Sequence, residues 1–348
     1  MKKRRVAVLG ATGTVGQRFI QLLVGHPWFE IVALTTSDRN VGRRYADVTQ
    51  WHFSERIPAE VADLTLEATR PEVDAEILFS ALPDDAAAEH EAALAAAGHH
   101  LFSNVKTHRM DDDVPLIIAE VNPGHAEAIK VQRQKRRWSG SLVTNGNCST
   151  IHFALGVWPL HQAFGIQRAV VTTMQALSGA GYPGVASLDA LDNVVPYIGG
   201  EEEKIERETM KFFGGWDGQR FVPASFPLSA HCNRVSVRDG HTETVSLELG
   251  GGPTPAEIIA CLRAFRGKPQ ELGLPSAPAH PVVVRDEPNR PQPILDRDAE
   301  RGMATVVGRV RADAVLGTKL VLLGHNTIRG AAGASILNAE LFAAEGLI

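Results

Sequence analysis

Val6-Ala7-Val8-Leu9-Gly10-Ala11-Thr12-Gly13-Thr14-Val15-Gly16 passes from a short apolar run through a glycine turn into the amphipathic stretch Gln17 to Val24. A second β-type run follows at Glu30 to Thr36. Strand, tight turn, helix and strand within about 30 residues make one βαβ unit. Further short β-type runs at Ala75 to Ser80, His99 to Ser103, Pro115 to Ala119 and Ser141 to Thr144, with an Ala-rich helix at Ala86 to Ala97, predict a doubly wound α/β domain over the first 147 or so residues.

Beyond Cys148 the pattern changes. A helix to about Phe164, a strand at Ala169 to Gln175, and strands at Val235 to Val237 and Thr242 to Leu247 read as an α+β domain. Lys268 to Pro293 holds seven prolines in 26 residues, which predicts a long irregular excursion and a subunit contact. The small-residue segment Gly330 to Phe342 is expected to be a helix docked on the first domain.

Composition narrows the function. The 348 residues are 44% hydrophobic and 22% charged, an ordinary soluble balance that excludes disorder and repetition, and the length favours two domains. With 35 Lys and Arg against 40 Asp and Glu, nothing global favours nucleic acid or an anionic membrane. The basic run Lys130, Arg133, Lys135, Arg136 and Arg137 reads as a solvated helix face. Three cysteines, Cys148, Cys232 and Cys261, cannot form a disulfide framework and suit a reducing compartment. No signal-type segment and no run of about 18 apolar residues is present, so a cytoplasmic location is expected.

Two constellations carry chemistry. In the Gly10 to Gly16 turn, glycines allow backbone N–H groups at a helix start to approach a pyrophosphate. At the end of the second strand stand Thr36-Ser37-Asp38-Arg39. Ser37 and Arg39 favour NADP, Asp38 suits NAD, and both residue types are present. The second is Thr144-Asn145-Gly146-Asn147-Cys148-Ser149-Thr150, which places a cysteine near a helix N-terminus, where a thiol pKa is lowered. A thiolate nucleophile needs an acid–base partner, and 13 histidines are available. None shows a zinc spacing, so no metal is expected. Arg234 and His241, seven apart, are expected around one irregular strand or turn, as a carboxylate-binding cation and an acid–base group.

In the same order along the chain, the glycine turn, Ser103-Asn104 with Arg109-Met110-Asp111, Gly146 to Thr150, Gln175-Ala176-Leu177-Ser178-Gly179-Ala180-Gly181, Gly199 to Lys204, Arg234 to His241, and Asn326 to Gly333 resemble aspartate-semialdehyde dehydrogenases of the archaeal and fungal branch. One departure is Ala119 before Glu120-Val121-Asn122, where that branch usually carries proline.

The resemblance implies an N-terminal Rossmann-like doubly wound domain (1–147 with 326–348) that binds NADP, and an α+β catalytic and dimerisation domain with a mixed sheet (148–325). It implies Cys148 as nucleophile, His241 as acid–base catalyst and Gln175 as the residue that positions the acyl group. Arg234 would clamp the substrate carboxylate, Glu201 meet its amine, Arg109 and Lys204 hold phosphate, and Asn147 lie beside the nucleophile. Gly10, Thr12, Gly13, Thr14, Val15, Gly16, Ser37, Arg39, Ser80, Ala81, Leu82, Ser178, Gly179 and Asn326 would line the cofactor. The implied reaction is reduction of L-4-aspartyl phosphate through a cysteine thioester, in lysine, threonine and methionine biosynthesis, by a homodimer or homotetramer. Alternatives are an acyl-CoA reductase of the same superfamily, such as one acting on malonyl-CoA, and a non-catalytic nucleotide-binding scaffold. An N-acetyl-glutamyl-phosphate reductase would carry Tyr-Pro near the cysteine, which Asn147 to Thr150 lacks.

Overall fold

The computed structural model describes residues 2–348. Strands β1 (Arg4–Leu9), β2 (Phe29–Thr36), β3 (Glu67–Ala68), β4 (Ile77–Ser80), β5 (His100–Ser103) and β6 (Ser141–Thr144) form a sheet in the order β3-β2-β1-β4-β5-β6, all pairs parallel. Order reverses between β1 and β4, the switch point at which doubly wound sheets bind ligands.

Period-2 alternation explains why both faces are covered. Val6, Val8, Ile77 and Phe79 pack against Phe19, Ile20 and Leu23 of α1 (Thr14–Leu23), while Ala7, Leu9, Leu78 and Leu101 pack against Leu94 and Ala95 of α2 (Asp84–Ala96). A further helix of this domain is α3 (Ala128–Arg136). Its basic run is not simply solvated. Arg133 donates to the backbone oxygens of Gly140 and Leu347, and Arg136 pairs with Asp113 and Asp111. The run expected at Pro115 to Ala119 makes only an isolated parallel bridge, Leu116 to Thr144, because the chain turns inward before a ladder extends.

Helix α4 (Cys148–Phe164) leaves the C-terminal end of β6 and is buried nearly all round. It lies on one face of a mixed seven-stranded sheet, with α5 (Glu201–Phe213) and α6 (Pro255–Ala264) beside it. That sheet comprises β7 (Ile166–Gln175), β8 (Val194–Val195), β11 (Leu228–Val235), β12 (His241–Leu249), β13 (Val282–Arg285), β14 (Thr305–Asp313) and β15 (Gly317–Gly324), ordered β13-β14-β15-β12-β7-β11-β8. A small hairpin, β9 (Gly215–Trp216) and β10 (Phe221–Val222), stands apart from it. In β7, Ala169, Val171, Thr173 and Gln175 face the helices, while Val170 on the opposite face is 41% exposed.

Three expectations change in this region. Arg234 and His241 do not share a strand or turn: they lie on β11 and β12, which flank β7 on its two sides. Only Val235 of the run 235–237 is strand, since the chain must leave β11 there to cross over the end of β7. The proline-rich excursion contains edge strand β13, parallel to β14, and its Leu274 packs on Met303, Leu337 and Leu341. Helix α7 (Gly333–Ala344), entered through the turn Ile328–Ala332, places Ile336, Ala339 and Phe342 in the core of the first sheet. Glu120, after Ala119, is fully buried in a bidentate pair with Arg329, with Nη1 to Oε1 at 3.0 Å.

Candidate active site

Parallel strands deliver their C-terminal ends to one rim, and there β6 hands the chain through Asn145 and Gly146 to α4. Asn147 caps α4: its Oδ1 accepts from the N–H groups of Ser149 (3.0 Å) and Thr150 (3.1 Å). The Cys148 N–H is left uncommitted beside its own side chain.

Cys148 Sγ lies 3.1 Å from His241 Nε2. The other ring nitrogen, Nδ1, accepts from the Ala176 N–H at 3.0 Å, which assigns the proton of the neutral ring to Nε2, facing the sulfur. His241 is fully buried, and burial, followed by the charges of His152 and Arg234, holds its pKa well below the usual value. The helix start was expected to lower the thiol pKa. Instead burial, then the nearby Glu201 carboxylate, pushes the Cys148 thiol up to about 12, outweighing the opposing charges of Arg109 and Arg234. In this state the pair is a neutral thiol beside a neutral imidazole.

Strand register brings the remaining groups together. Arg234 on β11 is opposite Gln175 on β7, and its Nη1 donates to Ala176 O at 2.7 Å. Gln175 Nε2 reaches Thr173 Oγ1 and Glu201 Oε2, both at 3.3 Å. At the start of α5, Glu201 accepts from Asn147 Nδ2 (2.7 Å) and Lys204 Nζ (2.6 Å). Burial raises its pKa, but the Lys204 charge and these hydrogen bonds together hold it below the ordinary carboxyl value. Gly179 is required by close approach, because a Cβ there would lie 2.9 Å from Arg234 Nη1 and 3.0 Å from His241 Cε1.

A cavity of about 340 Å³ opens over Cys148, and Asn147, Arg109, Glu201 and Lys204 line one part of it. Val15, Ala81, Leu82, Ser178, Gly179 and Asn326 line another. Asn326 pins two loops, donating to Ser178 Oγ at 2.8 Å and accepting from the Gly240 N–H at 2.9 Å. A larger cleft of about 890 Å³, lined by Thr14, Arg18 and Ser178 among others, adjoins it.

The glycine turn fits a dinucleotide. Gly10 has φ +72°, and a Cβ there would lie 2.6 Å from Ala81 O. Gly13 precedes an α1 terminus that has no side-chain cap and no acid in its first turn, leaving N–H groups for a phosphate. Thr14 Oγ1 is buried without a partner. Thr12 and Gly16 complete the turn. Ser37, Asp38 and Arg39 form an exposed turn at the end of β2. Ser80 is fully buried, with its hydroxyl toward Glu91 rather than in the cavity.

Sequence reasoning missed Glu208, Lys211 and Gly330. Glu208 accepts from Arg109 Nη1 (2.9 Å) and the Asn147 N–H (2.6 Å). Lys211 Nζ donates to the backbone oxygens of Arg109, Asp111 and Val114 at 2.7–2.9 Å. Gly330 packs on Cys148, and a Cβ on it would lie 2.8 Å from Cys148 Cβ. The spacing Glu201, Lys204, Glu208, Lys211 is a helical stripe and was the available signal.

A glycine turn at the end of a parallel sheet, with a buried Cys–His contact where that sheet meets the second one and Arg109, Glu201 and Lys204 lining the cavity over the sulfur, defines a thiol-dependent dehydrogenase. Residues 5–129 match the family "Semialdehyde dehydrogenase, NAD binding domain" and residues 157–329 the family "Semialdehyde dehydrogenase, dimerisation domain". The aspartate-semialdehyde dehydrogenase of Methanothermobacter thermautotrophicus is 53% identical, covering 97% of this chain and 98% of that one. That of Archaeoglobus fulgidus is 49% identical, covering 99% of each chain. The crystal structure of aspartate-semialdehyde dehydrogenase with NADP from Candida albicans superposes with a TM-score of 0.92 at 41% identity, covering 99% of this chain and 100% of that one. This chain belongs to the aspartate-semialdehyde dehydrogenase family.

Proposed function

We propose that the protein is an NADP-dependent aspartate-semialdehyde dehydrogenase that reduces L-4-aspartyl phosphate to L-aspartate 4-semialdehyde and releases phosphate. The observation that carries this reading is the 3.1 Å contact of Cys148 Sγ with His241 Nε2 under a cavity that also holds Arg109, Glu201 and Lys204. A scaffold has no use for that convergence. The Glu201 to Lys204 cluster favours an amino-acid substrate over an acyl-CoA.

Arg234 and Glu201 meet the carboxylate and amine of the substrate, and Arg109 and Lys204 meet the phosphate. Cys148 Sγ attacks the acyl phosphate carbon, the C–O bond to phosphate breaks, the thiol proton passes to the departing phosphate oxygen, and a thioester remains on sulfur. Gln175 and the Cys148 N–H steady the carbonyl oxygen as negative charge develops there. Gly10 to Gly16, Ala81, Leu82, Ser178, Gly179 and Asn326 would hold the reduced cofactor NADPH, with Ser37 and Arg39 toward its 2′-phosphate, and when bound it would supply the hydride that reduces the thioester. The resulting oxyanion re-forms the C=O bond as the C–S bond breaks, and the His241 Nε2–H donates to the departing thiolate, which regains its proton from solvent. Removing one oxyanion donor costs about 10²-fold or more in rate.

The division into a cofactor unit (1–147 with 326–348) and a catalytic and dimerisation unit (148–325) belongs to this reading. So does a homodimer, or a dimer of dimers, formed on the open face of the second sheet, where Val170 is exposed. Among the described residues no helix is long and apolar enough to cross a membrane, and a cytoplasmic location is part of the proposal.

The test follows nicotinamide absorbance with L-aspartate semialdehyde, phosphate and NADP, and separately NAD, with Cys148→Ala as control. Phosphate-dependent reduction of NADP that the control lacks is expected. No turnover by folded, cofactor-binding protein overturns the assignment.

A further inference from the structure

Helix α5 contributes more to the site than Glu201 and Lys204. Glu208, seven residues after Glu201, lies on the same helix face two turns further on and is 2% exposed. Its two carboxylate oxygens have different partners. Oε1 accepts from Arg109 Nη1 at 2.9 Å, and Oε2 accepts from the N–H of Asn147, the residue before the nucleophile, at 2.6 Å. One rigid planar group therefore spans the phosphate-facing guanidinium and the turn that presents Cys148.

The rest of Arg109 is constrained to match. Its Nη2 donates to Asn104 O at 2.7 Å, and Lys211, one turn beyond Glu208, grips three backbone oxygens of the loop that carries it. Arg109 Nε is buried and has no acceptor, although Arg109 lines the cavity over Cys148. The guanidinium is thus oriented by Glu208 and still has a donor unspent.

We propose that Glu208 is a positioning residue: it sets the distance and orientation of the phosphate-binding Arg109 relative to Cys148. This rests on the proposed function, in which Arg109 holds phosphate and Cys148 attacks. The carboxylate partly offsets the Arg109 charge, so its contribution is orientation rather than attraction. Leaving-group phosphate, or incoming phosphate in the reverse reaction, then meets a donor array already in register with the reacting carbon.

Glu208→Gln separates the two contacts. The amide oxygen still accepts from the Asn147 N–H, whereas the amide NH₂ opposes the N–H groups of Arg109 and cannot anchor them. In the aspartate-semialdehyde-oxidising direction the KM for phosphate is expected to rise about tenfold or more. The KM for NADP and the rate of Cys148 alkylation should stay within about twofold. In an Arg109→Met background, adding Glu208→Gln should change the phosphate KM no further.

An unchanged or lowered phosphate KM in Glu208→Gln overturns the proposal, and so does a full effect that persists without Arg109. If Arg109→Met alone leaves the phosphate KM unchanged, the assignment of Arg109 to phosphate fails first and the proposal with it. If Glu208→Gln does not fold, Glu208→Asp shortens the side chain by one methylene and keeps both acceptors. An unchanged phosphate KM in that variant also overturns the proposal.

Discussion

Alkylation of Cys148 by iodoacetamide as a function of pH tests the electrostatics of the site most directly. Burial and the Glu201 charge raise the thiol from 9.0 to about 12, so at pH 8 the thiolate is about 10³-fold scarcer than in an ordinary cysteine. A more basic thiolate is also more nucleophilic, with a Brønsted slope of about 0.4–0.5, which returns a factor of ~20. The net expectation at pH 8 is alkylation about 50-fold slower than for a free thiol, rising about tenfold per pH unit with no plateau up to pH 9. Glu201→Gln removes the second-largest cause of the shift. A nearby like charge is worth about 1–2 kcal/mol at an effective dielectric near 20, a ~5- to 30-fold gain in thiolate that the same Brønsted slope trims to alkylation ~2- to 6-fold faster at pH 8. Its turnover should fall, because the substrate amine loses its partner. These opposite directions identify the electrostatic cause. A rate plateau below pH 8 would refute the reasoning by revealing a thiolate–imidazolium pair, as would a Glu201→Gln enzyme that alkylates no faster.

Other perturbations have equally definite outcomes. Gly179→Ala puts a Cβ against Arg234 and His241 on a backbone that tolerates it, so kcat/KM should drop ~10²-fold while the melting temperature holds; undiminished kcat/KM would show that those side chains have room. Arg329→Met strands the buried Glu120 carboxylate and should cost about 3–5 kcal/mol in urea unfolding, and a loss below 1 kcal/mol would contradict a dry pair. Glu243 is fully buried with neither carboxylate oxygen bonded, and burial raises its pKa well above 4.5. A raised folded pKa means that its stabilising contribution is whole below pH 4.5 and is lost as pH climbs toward the folded value. Glu243→Gln should therefore gain on wild type between pH 5 and pH 8, by about 1–3 kcal/mol in chemical denaturation. A difference that does not vary with pH would mean that Glu243 stays ionised.

Much of the fold was legible because it is local. The apolar run and glycine turn at 6–16 specify strand, phosphate-sized turn and helix, and β1, β2 and α1 form where that pattern puts them. The Asn147-Cys148-Ser149-Thr150 signal likewise marks a helix start, since a short polar side chain caps the very N–H groups that follow it. Pro115 to Ala119 misled because β-type composition does not say that the chain turns at Ile118 to Asn122 after a single bridge to Thr144.

Family resemblance suggested the roles of Arg109, Glu201, Lys204 and Arg234, whereas the sequence alone determined the βαβ pattern of the first domain and the capped cysteine. These depend on neighbours a few positions apart. Tertiary structure alone decided that β11 and β12 flank β7 and so set Arg234, Gln175 and His241 around Cys148. It also decided that Ala176 assigns the His241 proton to Nε2, and that Glu208 joins Arg109 to the nucleophile turn 61 residues away. The thiol pKa shows why. Position at a helix N-terminus is a local property that lowers it, whereas desolvation and the Glu201 charge exist only after distant segments have packed, and at this site they prevail.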